Sequence, residues 1–265
     1  MLEQERSLLH SPGVMSQPGT FFLDQLDAVD FLRTLPSASV NLLITDPPYE
    51  SLEKHRAIGT TTRLSHSKSS SNDWFEVFPN ARFPDLLEEA YRVLAKDSHF
   101  YLFCDQETMF VVKPLAEEAG FTFWKPLVWD KQKIGMGYHY RARYEFVLFF
   151  EKGKRKLNNL GVADIISAPR VFKGYPTEKP SEVSRVLIEQ SSQLGDLVVD
   201  PFCGSSSVGV AAVELGRRYL GNDQSPTALE LSQERLLAAG GTLSRPVRPS
   251  SPHPSAARQL DLLVR

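Results

Sequence analysis

Cysteine is nearly missing from this chain, with only Cys104 and Cys203 in 265 residues. Neither belongs to a C-x-x-C pair or a Cys/His cluster, so no zinc site or other metal site is expected. So few thiols fit a reducing cytoplasm better than a disulfide-stapled secreted fold. Long apolar runs are lacking too. None approaches the roughly 20 residues that cross a bilayer, so no membrane is expected as a partner. The opening MLEQERSLLHSPGVMSQPG has no basic stretch followed by an apolar core, and does not read as a secretory signal. Net charge is small, at -2, so binding a polyanion would need a local basic face.

What is present is an ordinary globular balance of 42% hydrophobic and 23% charged residues, without an internal repeat. One domain over 20–239 accommodates it. A Ser/Pro/Gly-rich arm (1–19) and tail (240–265) read as flexible. Apolar runs at 21–24, 40–45, 99–105, 121–129, 144–152, 196–200 and 218–223 predict strands. Helical spacing recurs at 27–35, 82–94, 107–119, 181–192, 206–215 and 226–238. The alternation implies an α/β fold with a doubly wound, mostly parallel sheet. No clear helix separates 121–129 from 144–152, so one of these strands is expected to run antiparallel. A long Ser/Thr-rich stretch, 50–73, reads as a mobile functional loop.

Two strand ends carry the chemistry. At the first, VNLLIT leads into Asp46-Pro47-Pro48-Tyr49, which sets an acid, two prolines and a ring after a buried strand. At the second, DLVVD leads into Asp200-Pro201-Phe202-Cys203-Gly204-Ser205-Ser206 and a helix. Ligands of open α/β sheets bind beyond such strand ends, and small residues there let backbone N–H groups come close. Asp223 ends the next strand, roughly 20 residues on, where an acid accepts hydrogen bonds from ribose hydroxyls. The spacing is not G-x-G-x-x-G. A carboxylate at Asp200 would repel a pyrophosphate and suits a ligand with a free ammonium. The same residues also suit a plain tight turn, with Asp200 and Asp223 capping backbone N–H groups.

Together the D-P-P-Y and D-P-F-x-G-S stretches resemble the S-adenosylmethionine-dependent amino-methyltransferases of DNA. The catalytic motif precedes the cofactor loop, as in the circularly permuted β group. The PTEKP stretch, 176–180, is similar to that group's tenth motif. The likeness spans most of 20–238 and implies a Rossmann-like methyltransferase fold. It implies cofactor contacts from Asp24, Asp46, Thr177, Lys179, Asp200, Pro201, Phe202, Gly204, Ser205, Ser206 and Asp223. Ser206 departs from the pattern, because the family has a second glycine there and a Cβ disfavours positive φ.

The resemblance also makes Asp46, Pro47, Pro48 and Tyr49 the catalytic set. An exocyclic amine is a poor nucleophile because its lone pair is delocalised into the ring. Two acceptors, the Asp46 carboxylate and the Pro47 carbonyl, would turn its two N–H bonds out of that conjugation and stabilise the developing charge. Proline adds no competing N–H. Tyr49 offers a face on which a flipped base can stack. The implied substrate is adenine N6 in double-stranded DNA, since Asp-Pro-Pro-Tyr leans to adenine. Cytosine N4 is the alternative, with RNA or protein amide methylation and a non-catalytic DNA-binding subunit as further readings. Phosphate contacts are expected from Lys54, Arg56, Arg63 and Lys68, and from the basic stretch holding Arg141, Arg143, Lys154, Arg155 and Lys156. Target recognition is expected within 153–175. A homodimer, a cognate restriction endonuclease, and a nucleoid site in a bacterial or phage-infected cell complete what the likeness implies.

Overall fold

The computed structural model describes residues 17–50, 77–135, 139–171 and 178–244. The expected contacts from Lys54, Arg56, Arg63, Lys68 and Thr177, nearly all of the 50–73 loop, and most of the arm and tail lie outside these residues.

The described chain runs β1 (Thr20–Asp24), α1 (Ala28–Thr34), β2 (Val40–Thr45), α2 (Phe83–Val93), β3 (Leu94–Cys104), α3 (Gln106–Glu118), β4 (Thr122–Asp130), β5 (Tyr144–Lys152), β6 (Ile165–Ser167), α4 (Ser181–Ser191), β7 (Leu197–Asp200), α5 (Ser207–Glu214), β8 (Arg218–Asn222), α6 (Pro226–Ala238) and β9 (Thr242–Leu243). Among the described residues these strands form a single sheet ordered β6-β4-β5-β3-β2-β7-β8-β1-β9. Only β5 runs against its neighbours. The single antiparallel strand expected from the sequence is therefore β5.

Each central strand is apolar on both faces, and the alternation of side chains divides the core. Leu43, Phe100, Leu102 and Val199 pack with α1, α2 and α3 on one face. Leu42, Ile44, Tyr101 and Val198 pack with α4, α5 and α6 on the other. The first half of the chain thus covers one face and the second half the other. The two halves meet where β2 pairs with β7. Strands leave that junction toward opposite sheet edges, which opens a crevice at their carboxyl ends. Asp46 follows β2 there, and Asp200 ends β7.

Three elements differ from expectation. β3 starts at Leu94 rather than 99, because the backbone is already extended at the end of α2 and Val40 pairs with Leu94 before a register shift. The polar Lys96-Asp97 pair disguised this start. Ile165–Ser167 forms an edge strand against β4, inside the segment expected to serve target recognition. Thr242–Leu243 pairs with β1 and extends the sheet into what read as a flexible tail. A strand of two or three residues has too little periodicity to be legible.

Candidate active site

Both strand ends open onto one cleft of about 1060 Å³, whose walls include Asp46, Pro47, Pro48, Tyr49, Asp200, Gly204 and Asp223. That volume is at the upper end of what small-molecule sites use.

The catalytic stretch is fixed from its far end. The Phe78 N–H donates to the Pro48 carbonyl at 2.7 Å, and Tyr49 bridges to Phe78. No N–H or side-chain donor among the described residues takes the Pro47 carbonyl, which therefore keeps its acceptor capacity. Tyr49 is buried at the wall, and burial raises its hydroxyl well above the ordinary phenol range, with Glu145 and Asp46 adding to the shift. The ring is thus neutral.

Asp46 is held by a group expected elsewhere. Lys179 donates to Asp46 Oδ2 and also lies 3.4 Å from Glu145. Lys131 closes the chain with a 2.5 Å contact to Glu145. All four side chains are largely shielded from solvent, Asp46 the most exposed at 26%. Burial pushes Asp46 up, more than Lys179 draws it down. Burial would also raise Glu145, but Lys179 and Lys131 hold it below the usual carboxylate range. Lys179 stays protonated, because Asp46 and Glu145 outweigh its burial. Two acids and two bases alternate, so the cluster is neutral and each buried charge has a partner. Sequence reading missed Lys131 and Glu145. The available signal was an acid, Glu145, inside the apolar strand run YEFVLFFEK.

The cofactor loop follows β7. Asp200 is buried and accepts from the Phe202 N–H at 3.1 Å. Burial lifts its carboxyl well above the usual range. Asp46 and Asp223 push the same way, and the Phe202 bond and Lys179 offset this only in part. A carboxylate so placed is an unmet demand for a cation, which is what a ligand ammonium would supply. Phe202 meets Phe78 edge to face, centroids 5.2 Å apart, forming an apolar wall. Asp223 accepts from the Gly204 N–H and the Ser225 N–H, each at 2.9 Å. It therefore both shapes the loop and lines the cleft. Asn222, unforeseen from sequence, exchanges hydrogen bonds with the Leu26 backbone and donates to the Pro201 carbonyl.

Ser206 adopts the left-handed conformation that its Cβ disfavours, with φ 56° and ψ 43°, and is fully buried. A Cβ is expected to disfavour this conformation, yet Ser206 adopts it, at a cost of about 1–2 kcal/mol. Ser206→Gly removes that cost, less the entropy glycine adds to the unfolded chain. It is expected to stabilise by about 1 kcal/mol and raise Tm by about 2–4 °C, read by calorimetry.

Other expected residues part company. Asp24 lies off the cleft wall, its Oδ1 accepting from the Gln25 N–H. Asp27 lines the cleft instead, gripped by Arg82 through bonds of 2.6 and 2.7 Å. The basic stretch 141–156 does not form one face. Arg143 sits at the site end of β5 and is engaged with Asp130 at 2.6 and 2.8 Å. Lys154, Arg155 and Lys156 follow the other end of β5, where Lys152 pairs with Ser98 in the first half of β3. A nine-residue strand separates the two groups by about 27 Å. Lys154 to Lys156 therefore lie beyond the strand ends remote from the cleft. Arg170 was not foreseen, yet it is exposed and lines the cleft.

No helix among the described residues is long and apolar enough to span a membrane, and none of their acid, His or Cys clusters suits a metal.

A sequence model of the DNA methylase family matches residues 40–173 and 159–234. Among curated relatives, type II methyltransferase M.HpaI of Haemophilus parainfluenzae is 27% identical, covering 79% of this chain and 72% of its own. DNA adenine methyltransferase YhdJ of Escherichia coli K12 is 25% identical, over 79% and 80%. Among solved structures, PvuII DNA methyltransferase, cytosine-N4-specific, aligns with a TM-score of 0.64 at 14% identity, over 87% and 98%. The M1.HpyAVI–SAM complex aligns at 0.61 and 20%, over 82% and 100%. At these identities the structural likeness is one of fold.

Proposed function

The chain belongs to the DNA methylase family, and we propose that it transfers a methyl group from S-adenosylmethionine to N6 of adenine in duplex DNA. The observation that carries this is the shared cleft. Asp46, with the Pro47 carbonyl beside it, and the cofactor loop Asp200–Ser205 face one space, while Ser206, expected among the cofactor contacts, is buried behind that wall.

The residues fit the cofactor. Asp200 takes the ammonium, Asp223 the ribose hydroxyls, and the Phe78–Phe202 wall the adenine ring. The methionine carboxylate falls to the segment around Lys179. When bound, S-adenosylmethionine supplies an electrophilic methyl on a sulfonium sulfur. The amine, once methylated, would lose its extra proton to solvent.

This chain's part is orientation and electrostatics. Lys179 occupies Asp46 Oδ2 and leaves Oδ1 for one amine N–H, while the Pro47 carbonyl takes the other. Because Lys179 is protonated, it favours the ionised, acceptor-only form of Asp46. Glu145 keeps the lysine's charge from opposing the charge that develops on the base nitrogen. An amine paired inside a duplex cannot reach Asp46, so the base is flipped, and Tyr49 stacks on it. Tyr49→Ala should lower kcat/KM by about 10- to 100-fold, from a stacking loss of about 1–3 kcal/mol. Tyr49→Phe keeps the ring and should stay within about threefold of wild type in the same steady-state assay.

Adenine is favoured by the Asp-Pro-Pro-Tyr motif and the likeness to an adenine methyltransferase. The cytosine-N4 enzyme among the structural relatives supports the second reading, since both amines need the same two acceptors. Incubating DNA with the enzyme and cofactor, then resolving nucleosides by mass spectrometry, decides. N6-methyladenine is expected, N4-methylcytosine would transfer the proposal to cytosine, and neither product would sink it. A homodimer on a palindromic site and a cognate endonuclease remain part of this proposal. Arg141 and Arg170 are its phosphate contacts.

A further inference from the structure

The backbone around Ser206 is held from outside the loop. Ser232 Oγ donates to the Gly204 carbonyl at 2.6 Å, and the Arg235 guanidinium donates to the Ser205 carbonyl at 2.8 Å. Both donors come from consecutive turns of α6. The other arm of Arg235 lies 2.7 Å from Glu178, the neighbour of Lys179. Glu178 lines the cleft, as do Gly204 and Ser205. One arginine thus joins the cofactor loop to the segment whose lysine holds Asp46.

We propose that Arg235, assisted by Ser232, is a positioning residue that clamps the strained Gly204–Ser206 turn in its cofactor-binding shape, standing in for the glycine this chain lacks. A glycine at 206 would adopt positive φ unaided. With serine there the turn prefers to relax, and relaxation would carry the two carbonyls away from α6. In a trans peptide the N–H points opposite the C=O, so holding the Gly204 carbonyl also fixes the Ser205 N–H. Bonds from a guanidinium are charge-assisted and directional, and the planar fork reaches the carbonyl and Glu178 together. A lysine has no such fork. This inference rests on the reading of the loop as the S-adenosylmethionine site.

The test is a double-mutant cycle between Arg235 and Ser206, read as S-adenosylmethionine Kd by titration calorimetry on the full chain. Arg235→Ala should weaken binding about tenfold, and Ser232→Ala about threefold. In the Ser206→Gly background the Arg235→Ala loss should shrink to less than about threefold, because the turn no longer needs the clamp. Arg235→Lys should fall between. A thermal melt accompanies each variant, and Ser232→Ala carries the test should Arg235→Ala fail to fold. An equal loss in both backgrounds, or no loss in either, would overturn the clamp. Wild-type protein that binds no S-adenosylmethionine would instead overturn the cofactor reading itself, so the two failures are distinguishable.

Discussion

Asp46→Ala should lower kcat for methyl transfer by about 100- to 1,000-fold, the usual result of removing one transition-state acceptor. The substitution removes the carboxylate that turns the amine out of conjugation, while the Pro47 carbonyl and the Tyr49 ring stay. S-adenosylmethionine affinity should change less than about threefold, and DNA affinity should be nearly intact, because the loop Asp200–Ser206 is built independently on β7 and α5. Removing one partner of a buried ion pair often costs about 3–5 kcal/mol. The cost here should be smaller, since Lys179 already lies 3.4 Å from Glu145 and keeps a partner. Asp46→Asn sharpens the reading. It preserves shape and one acceptor oxygen but places an N–H₂ beside a site that must accept. A single-turnover rate as low as that of the alanine variant is expected; a rate near wild type would remove the carboxylate from the mechanism.

Asp200→Asn should weaken S-adenosylmethionine by about 30- to 100-fold, from the loss of a charged hydrogen bond worth about 2–3 kcal/mol. It should also abolish the pH dependence of binding. Burial raises the Asp200 carboxyl above its unfolded value of about 3.9. An acid whose folded pKa is raised stabilises the protein in its protonated form, and that stability is lost as pH rises through the folded pKa. The cofactor-free protein therefore carries a growing penalty across this window. An ammonium seated on Asp200 favours the ionised form and cancels the penalty. Binding should then release a proton at pH values below the folded pKa, and affinity should climb with pH by up to about tenfold per unit before levelling. Thermal stabilisation by the cofactor should grow over the same range. Asp46 and Asp223 face Asp200 and raise it further, while Lys179 opposes them. Calorimetry in two buffers of different ionisation enthalpy measures the released proton. Its persistence in Asp200→Asn would assign it to one of those neighbours.

The sheet was legible because its central strands are nearly continuous apolar runs separated by amphipathic helices. β2, β7 and β8 fall within a residue of where their hydrophobicity ends. The two chemical loops were legible for a related reason, since an acid, proline and small residues directly after a buried strand have few structural uses. What escaped is long-range pairing. Nothing local to Glu145 announces that Lys131 and Lys179 converge on it, and nothing local to Arg235 points to a carbonyl thirty residues away. Asp24 and Asp27 show the same limit at short range. One ends β1 and the other follows it by three residues, and only the fold decides that Asp27 faces the cleft beside Arg82. Local charge at 141–156 likewise says nothing of placement, since the length of β5 divides one basic stretch between the two ends of that strand.

Function here rests on a cleft in which the carboxylate after β2 and the loop after β7 act on one nucleobase amine. A crystal structure of the protein with S-adenosylmethionine measures this most directly. The sulfonium methyl should point at the space between Asp46 Oδ1 and the Pro47 carbonyl, leaving about 3–3.5 Å for an attacking nitrogen. A cofactor seated away from Asp200 and Asp223, or with its methyl turned from Asp46, would contradict the account.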